Sequence, residues 1–334
     1  MPDSVPPRPL GRRTAIGAGL GAAAALATPH LALAQAWPTR PITLVVGFPP
    51  GGQTDFAARI IQNGMAAALG QPVVVENRGG AGGNLGTEAV LRARPDGYTL
   101  LAGNSSPMAI NPHTFPGMTI NPLELTPIGL ALQSSLLLCV HPSVQATNVQ
   151  EFAAWIRQQR RGADYGVPAA GSLSHCAMEL FRQRVGNPPM EMIPYRGSGP
   201  AMQDFIAGRF SAMFDGASVV APFVRAGQVK GLLVTGEHRA PAFPDIPTAT
   251  EQGLQDFAFV AWVGLYGPRG LPEEIVTRVN AALNTALQDA TVKERITSQG
   301  DEPGGGTPQS FGETTRRDHA RWGEVVRAAN IKAE

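Results

Sequence analysis

Several signatures of specialised chemistry are missing from this 334-residue chain. Cysteine occurs only at Cys139 and Cys176, and neither sits in a C-x-x-C pair, which excludes zinc knuckles, dithiol redox motifs and a disulfide framework. Lysine occurs only at Lys230, Lys293 and Lys332, and basic and acidic residues nearly balance, at 27 against 26, so the electrostatic footprint of a nucleic-acid binder is absent. No H-E-x-x-H or G-x-S-x-G motif occurs, which removes the commonest zinc-protease and hydrolase signatures. Beyond the N-terminal region no apolar run approaches the roughly 18 residues of a membrane helix.

The N-terminal region is of another kind. Arg8 and the pair Arg12–Arg13 precede a run of small apolar residues, "AIGAGLGAAAALA", closing on "ALAQA", where two small-x-small sites fit a signal peptidase. Residues 1–36 are therefore expected to be an export signal cleaved after Ala36, with the mature chain in the periplasm. The adjacent arginines allow the twin-arginine route. "GRRTAIG" lacks bulkier residues after the pair, so Sec export stays open. Residues 37–334 then carry 24 basic and 25 acidic side chains, and their length suggests two domains.

Beyond the signal, strand-like and helix-like patterns alternate. "ITLVVGF" reads as a strand. A helix follows, with Phe56, Ile60, Ile61, Met65 and Leu69 at helical spacing, capped by Thr54 or Asp55 and stopped by Gly70. "VVVEN", a helix near 84–93, and a strand over 98–102 continue the order, which restarts at "SSLLLCV" and ends in two or three amphipathic helices. This predicts an α/β fold with mainly parallel sheets covered on both faces. Cys139 falls in a strand and Cys176 in a helix; two buried thiols or one bridge both fit.

In doubly wound folds ligands sit beyond the carboxyl ends of strands. The loops leaving those ends are 48–55, 103–106, 168–174, 196–200 and 215–218, rich in Gly, Pro, Ser, Ala and Asn, so the predicted cleft is built mostly from backbone. The first loop, "GFPPGGQT", has the glycine spacing of a P-loop with Gln53 in the lysine position. Without that lysine and without a metal-binding acidic strand end, phosphate is a poor guest. Successive N–H groups at a helix N-terminus still suit a carboxylate. "GGAGGNLG" lacks the third glycine of a dinucleotide fingerprint, Leu85 standing there. A triad drawn from Ser172 or Ser174, His175 and Asp215 is conceivable, but His175 reads as a packed helix residue. Arg59, Arg78 and Arg196 read as solvated or packing arginines, and Trp262 and Tyr195 as core.

"RPITLVVGFPPGGQTDFAAR", "GQPVVVENRGGAGGNLGTEAV", "RPDGYTLL", "IPYRGSGPAMQDFIAGRFSAMFD", "FPDIPTATEQGL" and "WVGLYGPRGLPEEIV" closely resemble the Bug receptors, the extracytoplasmic solute-binding proteins of tripartite tricarboxylate transporters. The resemblance spans essentially the whole mature chain. It implies a type II periplasmic-binding-protein fold, two α/β domains joined by two crossing strands near 130–135 and 232–237. Domain one would be 37–132 with 236–334, and domain two 133–235. It implies a non-catalytic receptor that needs no cofactor or metal and takes a small carboxylate between the domains. The partners would be the transporter's membrane components, and the receptor a monomer. The ligand residues implied are Phe48, Pro50, Gly51, Gly52, Gln53, Thr54 and Asp55, with Ser105 and Ser106 from the same side and Ala170, Gly171, Ser172, Ser174 and Asp215 from the other. "GVPAAGS" departs from the family's Ser- and Gly-rich run there and makes that wall more apolar. A periplasmic serine hydrolase and a solute sensor are the alternatives.

Overall fold

The structure, a computed structural model, describes residues 37–115 and 117–333; the expected export signal and its cleavage site at Ala36 lie outside the described residues. The chain divides into two units, Met1–Thr39 and Arg40–Glu334. In the first, Trp37 and Pro38 are joined by a cis peptide bond. Everything below concerns the second.

The apolar run becomes β1 (Ile42–Val46), buried except at Thr43. Helix α1 (Gln53–Leu69) turns Ala57, Ile60, Ile61, Met65 and Leu69 inward. It stops at Gly70, whose left-handed backbone returns its N–H to Ala66 O. After β2 (Val73–Asn77), α2 (Asn84–Leu91) and β3 (Thr99–Asn104), a π-helical turn, Ser106–Ile110, runs into α3 (Asn111–Thr114). Strand β4 (Thr126–Ser134) then passes through Ser135 into β5 (Leu136–Val140).

The second run of alternation comprises α4 (Val149–Gln158), β6 (Ala163–Val167), α5 (Leu173–Arg184), β7 (Met190–Pro194), α6 (Ser198–Ile206), β8 (Ala212–Gly216), α7 (Ala217–Arg225) and β9 (Lys230–Val234). The chain returns as β10 (Ala261–Gly267), α8 (Glu273–Gln288), α9 (Ala290–Ser298), β11 (Glu302–Gly305) and α10 (Pro308–Ala329). One sheet has the order β11-β4-β10-β3-β1-β2 and the other β7-β6-β8-β5-β9. Cys139 and Cys176 are both buried free thiols.

Two expectations need correction. The sheets are mixed, not mainly parallel: β10 runs antiparallel to β3 and β4, and β5 antiparallel to β8 and β9. The cause is topological, because the strands that leave and re-enter each sheet are inserted beside the parallel set. The cap of α1 is Gly52, with no side-chain cap bond, in place of Thr54 or Asp55.

The two passages between the sheets are fastened together at Thr235. Its N–H donates to Leu136 O at 2.9 Å, and its hydroxyl accepts from Leu136 N–H at 2.9 Å. Phe259 N–H donates to Thr235 O at 2.8 Å. Thr235 is fully buried, so water cannot substitute for its hydroxyl. Thr235→Val, nearly the same shape, should strand the Leu136 N–H and cost about 1–3 kcal/mol in urea unfolding; Thr235→Ser should recover most of that.

Candidate ligand-binding site

A cavity of about 740 Å³ opens where the helices that follow the strands begin. Gly52 and Gln53 bring the start of α1 to it, Ser105 and Ser106 the π-helical turn, and Leu173 and Ser174 the start of α5. Ser198 brings the start of α6, and Gly216 and Ser218 the start of α7. Five helix N-termini thus face one space. The first turn of a helix leaves N–H groups without intrahelical partners, and its dipole favours negative charge. The one Lys or Arg side chain lining the cavity among the described residues is Arg295, which is exposed. An anion here would be met mainly by backbone.

The loop ahead of α1 is held from behind. Asp55, buried in the first turn, accepts from Gly51 N–H at 3.0 Å and Arg59 Nε at 2.9 Å through Oδ2, and from Asn77 Nδ2 at 2.8 Å through Oδ1. Asn77 also donates to Phe48 O at 3.0 Å, and Arg59 Nη2 donates to Asn77 Oδ1 at 3.0 Å. One carboxylate therefore fixes the loop to the end of β2. Burial alone would raise its pKa; the Arg59, Gly51 and Asn77 hydrogen bonds overcome that and hold it down at about 2. Gly51 sits at φ 91°, a conformation that side chains resist. Thr54 Oγ1 accepts from Asn104 Nδ2 at 2.9 Å, and Asn104 Oδ1 accepts from Ser106 N–H at 3.1 Å, which orders the next loop.

Two acids line the same cavity. Burial pushes the Asp215 carboxyl up to about 6, against the pull of the Ser198 hydroxyl and the Gly216 N–H. Its Oδ1 accepts from Gly216 N–H at 2.8 Å, while its buried Oδ2 has no partner. Asp301 is also raised by burial, with Ser134, Gln53 and Ser218 drawing it back; Gln53 Nε2 donates to its Oδ1 at 3.2 Å.

Of the residues expected from sequence, the structure brings Gly51, Gly52, Gln53, Ser105, Ser106, Ser174 and Asp215 to this cavity. Phe48, Pro50, Thr54, Asp55, Ala170, Gly171 and Ser172 do not line it. Thr54 and Asp55 stand one layer behind. Gly171 is turned toward the C-terminal segment, where a Cβ would lie 2.9 Å from Ala333 Cβ, and Ser172 caps α5 by accepting from His175 N–H. The π-helical turn, α6 and α7 begin at loops the sequence had singled out, so Asn104, Ser198 and Ser218 carried a local signal. Arg295, Gln299 and Asp301 carried none, since only the fold brings the turn after α9 to Gln53. Trp262, expected in the core, is 1% exposed yet also lines the cavity, and its indole N–H donates to Asp318 at 2.8 Å.

The triad does not assemble. His175 Nδ1 accepts from Gly171 N–H at 3.1 Å, so it carries no proton to donate to Asp215 as a triad imidazole must. Arg59 is paired with Asp55 and Arg78 with Glu76. No group of His, Cys, Asp and Glu among the described residues is placed to hold a metal ion.

A family model described as "Tripartite tricarboxylate transporter family receptor" matches residues 57–331. Protein BugT of Bordetella pertussis is 35% identical over 301 residues, 90% of this chain and 92% of the relative. An R. palustris protein solved with adipate is 34% identical with a TM-score of 0.78, covering 89% of this chain and 99% of its own. MatC from Rhodopseudomonas palustris with bound malate is 34% identical with a TM-score of 0.74, covering 87% and 100%. The fold is theirs, the two-domain periplasmic binding architecture expected above.

The two buried acids should give opposite pH signatures. Asp55 has a lowered pKa, so its contribution is present above the unfolded value near 4 and lost as pH falls through about 2. Asp55→Ala should cost about 1–2 kcal/mol at pH 7, a figure reduced because Arg59 is half exposed, and less as pH approaches 2. Asp215 has a raised pKa, so its favourable protonated form is complete below about 4 and lost as pH rises through about 6. Asp215→Asn should therefore stabilise the protein at pH 8, by about 1–3 kcal/mol, and be neutral at pH 4. Thermal melts of both variants across this range check the two slopes.

Proposed function

The chain belongs to the tripartite tricarboxylate transporter receptor family, and we propose that it is an exported receptor that captures a small carboxylate and presents it to that transporter's membrane components. The observation that carries this reading is the convergence of five helix N-termini on one cavity that has little side-chain cation. A singly charged carboxylate needs only a few N–H donors, and the start of α1 at Gly52 and Gln53 offers them, with open space in front of Gly52. The adipate and malate held by similar structures are of the same chemical class.

The reading includes a division near residues 132–133 and 235–236, so that the ligand lies between a domain built on β1 to β4 with β10 and β11 and one built on β5 to β9. It also includes a signal cleaved near Ala36, a monomer, and no turnover. His175, bonded to its own loop, supports the last point against a serine hydrolase. No helix among the described residues is long and apolar enough to cross a membrane. A carboxylate bridging the two walls favours the closed arrangement only as far as it binds that arrangement better.

A thermal-shift screen of mono-, di- and tricarboxylates beside neutral sugars and amines tests this. A ligand at about 100 times its Kd should add roughly 2.7 kcal/mol of apparent stability. A Cβ at Gly52 would meet nothing within 4 Å, so Gly52→Val should fold normally while its branched side chain blocks the approach to the amides and abolishes the shift. Shifts with sugars alone, or an unchanged carboxylate response in Gly52→Val, would overturn the reading.

A further inference from the structure

Asp215 lines the same cavity as the loop at Gly51–Gln53 and is a carboxylate with an unfilled acceptor. It is 7% exposed; Gly216 N–H donates to its Oδ1 at 2.8 Å, and the neighbouring Ser198 hydroxyl draws on the carboxyl group. Its Oδ2 is buried without a partner, an arrangement folded proteins keep rare because a desolvated acceptor without a donor is costly. Neither the second acid nor the cation lining the cavity fills that position. Asp301, the second acid on the cavity, already has Gln53 as a donor. Arg295 is exposed on α9 and makes no ion pair with Asp215 among the described residues. A resident carboxylate in such a place repels a second ionised carboxylate and accepts from an O–H or N–H.

We propose that Asp215 is a specificity-determining residue that accepts a hydrogen bond from a hydroxyl or amino group of the ligand, so that the preferred ligand is a small carboxylate bearing such a donor. This rests on the carboxylate reading and names the kind of carboxylate. One end meets the loop at Gly52. The donor meets Asp215, which in turn selects against plain acids and against acids with two ionised carboxyl groups placed to meet both walls.

Matched sets of acids at pH 7.5 test it, each plain acid beside its hydroxy and amino counterparts: propanoate, lactate and alanine; succinate, malate and aspartate; adipate with its 2-hydroxy and 2-amino derivatives. Calorimetry on the whole mature protein should show at least one hydroxy or amino member binding about tenfold or more tightly than its plain parent, the usual strength of a hydrogen bond to a charged group. Whether the hydroxy or the amino member wins identifies the donor. In Asp215→Asn, whose amide donates to carboxylates, that preference should shrink at least severalfold, and the plain dicarboxylate should bind more tightly than in the wild type. Carboxylates that bind without regard to the donor, or a preference untouched in Asp215→Asn, would overturn this inference and leave the receptor reading standing. If no carboxylate of any set bound, both would fall.

Discussion

Asp55 carries a buried negative charge one turn behind the cavity, and the donors around it are turned from the cavity to meet it. Gly51 N–H, Arg59 and Asn77 all end on its two oxygens, and Asn77 reaches on to Phe48 O. Two consequences follow for the site. The loop's shape is fixed before any ligand arrives, which is what makes backbone donors effective as a binding surface. Arg59, behind the loop, is neutralised by Asp55, so the loop faces the cavity with dipoles and no net charge. Remove Asp55 and both conditions lapse together: the turn at Gly51, held at φ 91°, loses its anchor and Arg59 becomes a free charge.

The same cavity is joined to the strands that connect the two sheets. Ser134 ends β4 beside Asp301, and Leu136, which begins β5, is both a lining residue and the partner of Thr235. Gln53 at the head of α1 donates to Asp301, while the Ser218 hydroxyl at the head of α7 draws on the same carboxylate. At Gly300 a Cβ would lie 3.5 Å from Ser218 N. A guest pressing on Gln53 or on the start of α7 therefore acts through Asp301 on the end of β4, one residue short of the Ser135–Leu136 passage that Thr235 fastens.

Much of this was legible in sequence, for identifiable reasons. Strand-end loops rich in Gly, Ser and Asn are positions where backbone must do the recognition, and each of the five loops singled out contributes at least one residue to the cavity. The helix over Phe56 to Leu69 announced itself by its apolar spacing and its Gly70 stop. Three things were not legible. Strand β10 and its antiparallel insertion depend on which elements the returning chain meets, a nonlocal fact. Asp301 and Gln53 are 248 positions apart, and no periodicity or motif links them. "PAAGS" looked like a wall of the cleft because it follows a strand end, yet the C-terminal Ala333 lies against Gly171 instead.

The resemblance of "GFPPGGQT" to a P-loop can now be resolved. The first glycine of the pair, Gly47, serves packing: a Cβ there would lie 2.8 Å from Gly83 O, and one on Gly86 would lie 2.6 Å from Gly47 Cα. It is glycine because two backbones touch, not because a phosphate must approach. The lysine position holds Gln53, whose amide bridges to Asp301. A lysine there would find Asp301 ready to pair with it, and the cavity would gain a fixed ion pair on its rim in place of an amide hydrogen bond. What separates this loop from a nucleotide site is therefore the way its charges are already balanced. Asp55 holds Arg59 behind the loop, Asp301 accepts from the neutral Gln53 beside it, and apart from the exposed Arg295 the remaining attraction for an anion is that of helix N-termini, enough for a carboxylate and too little for a polyphosphate.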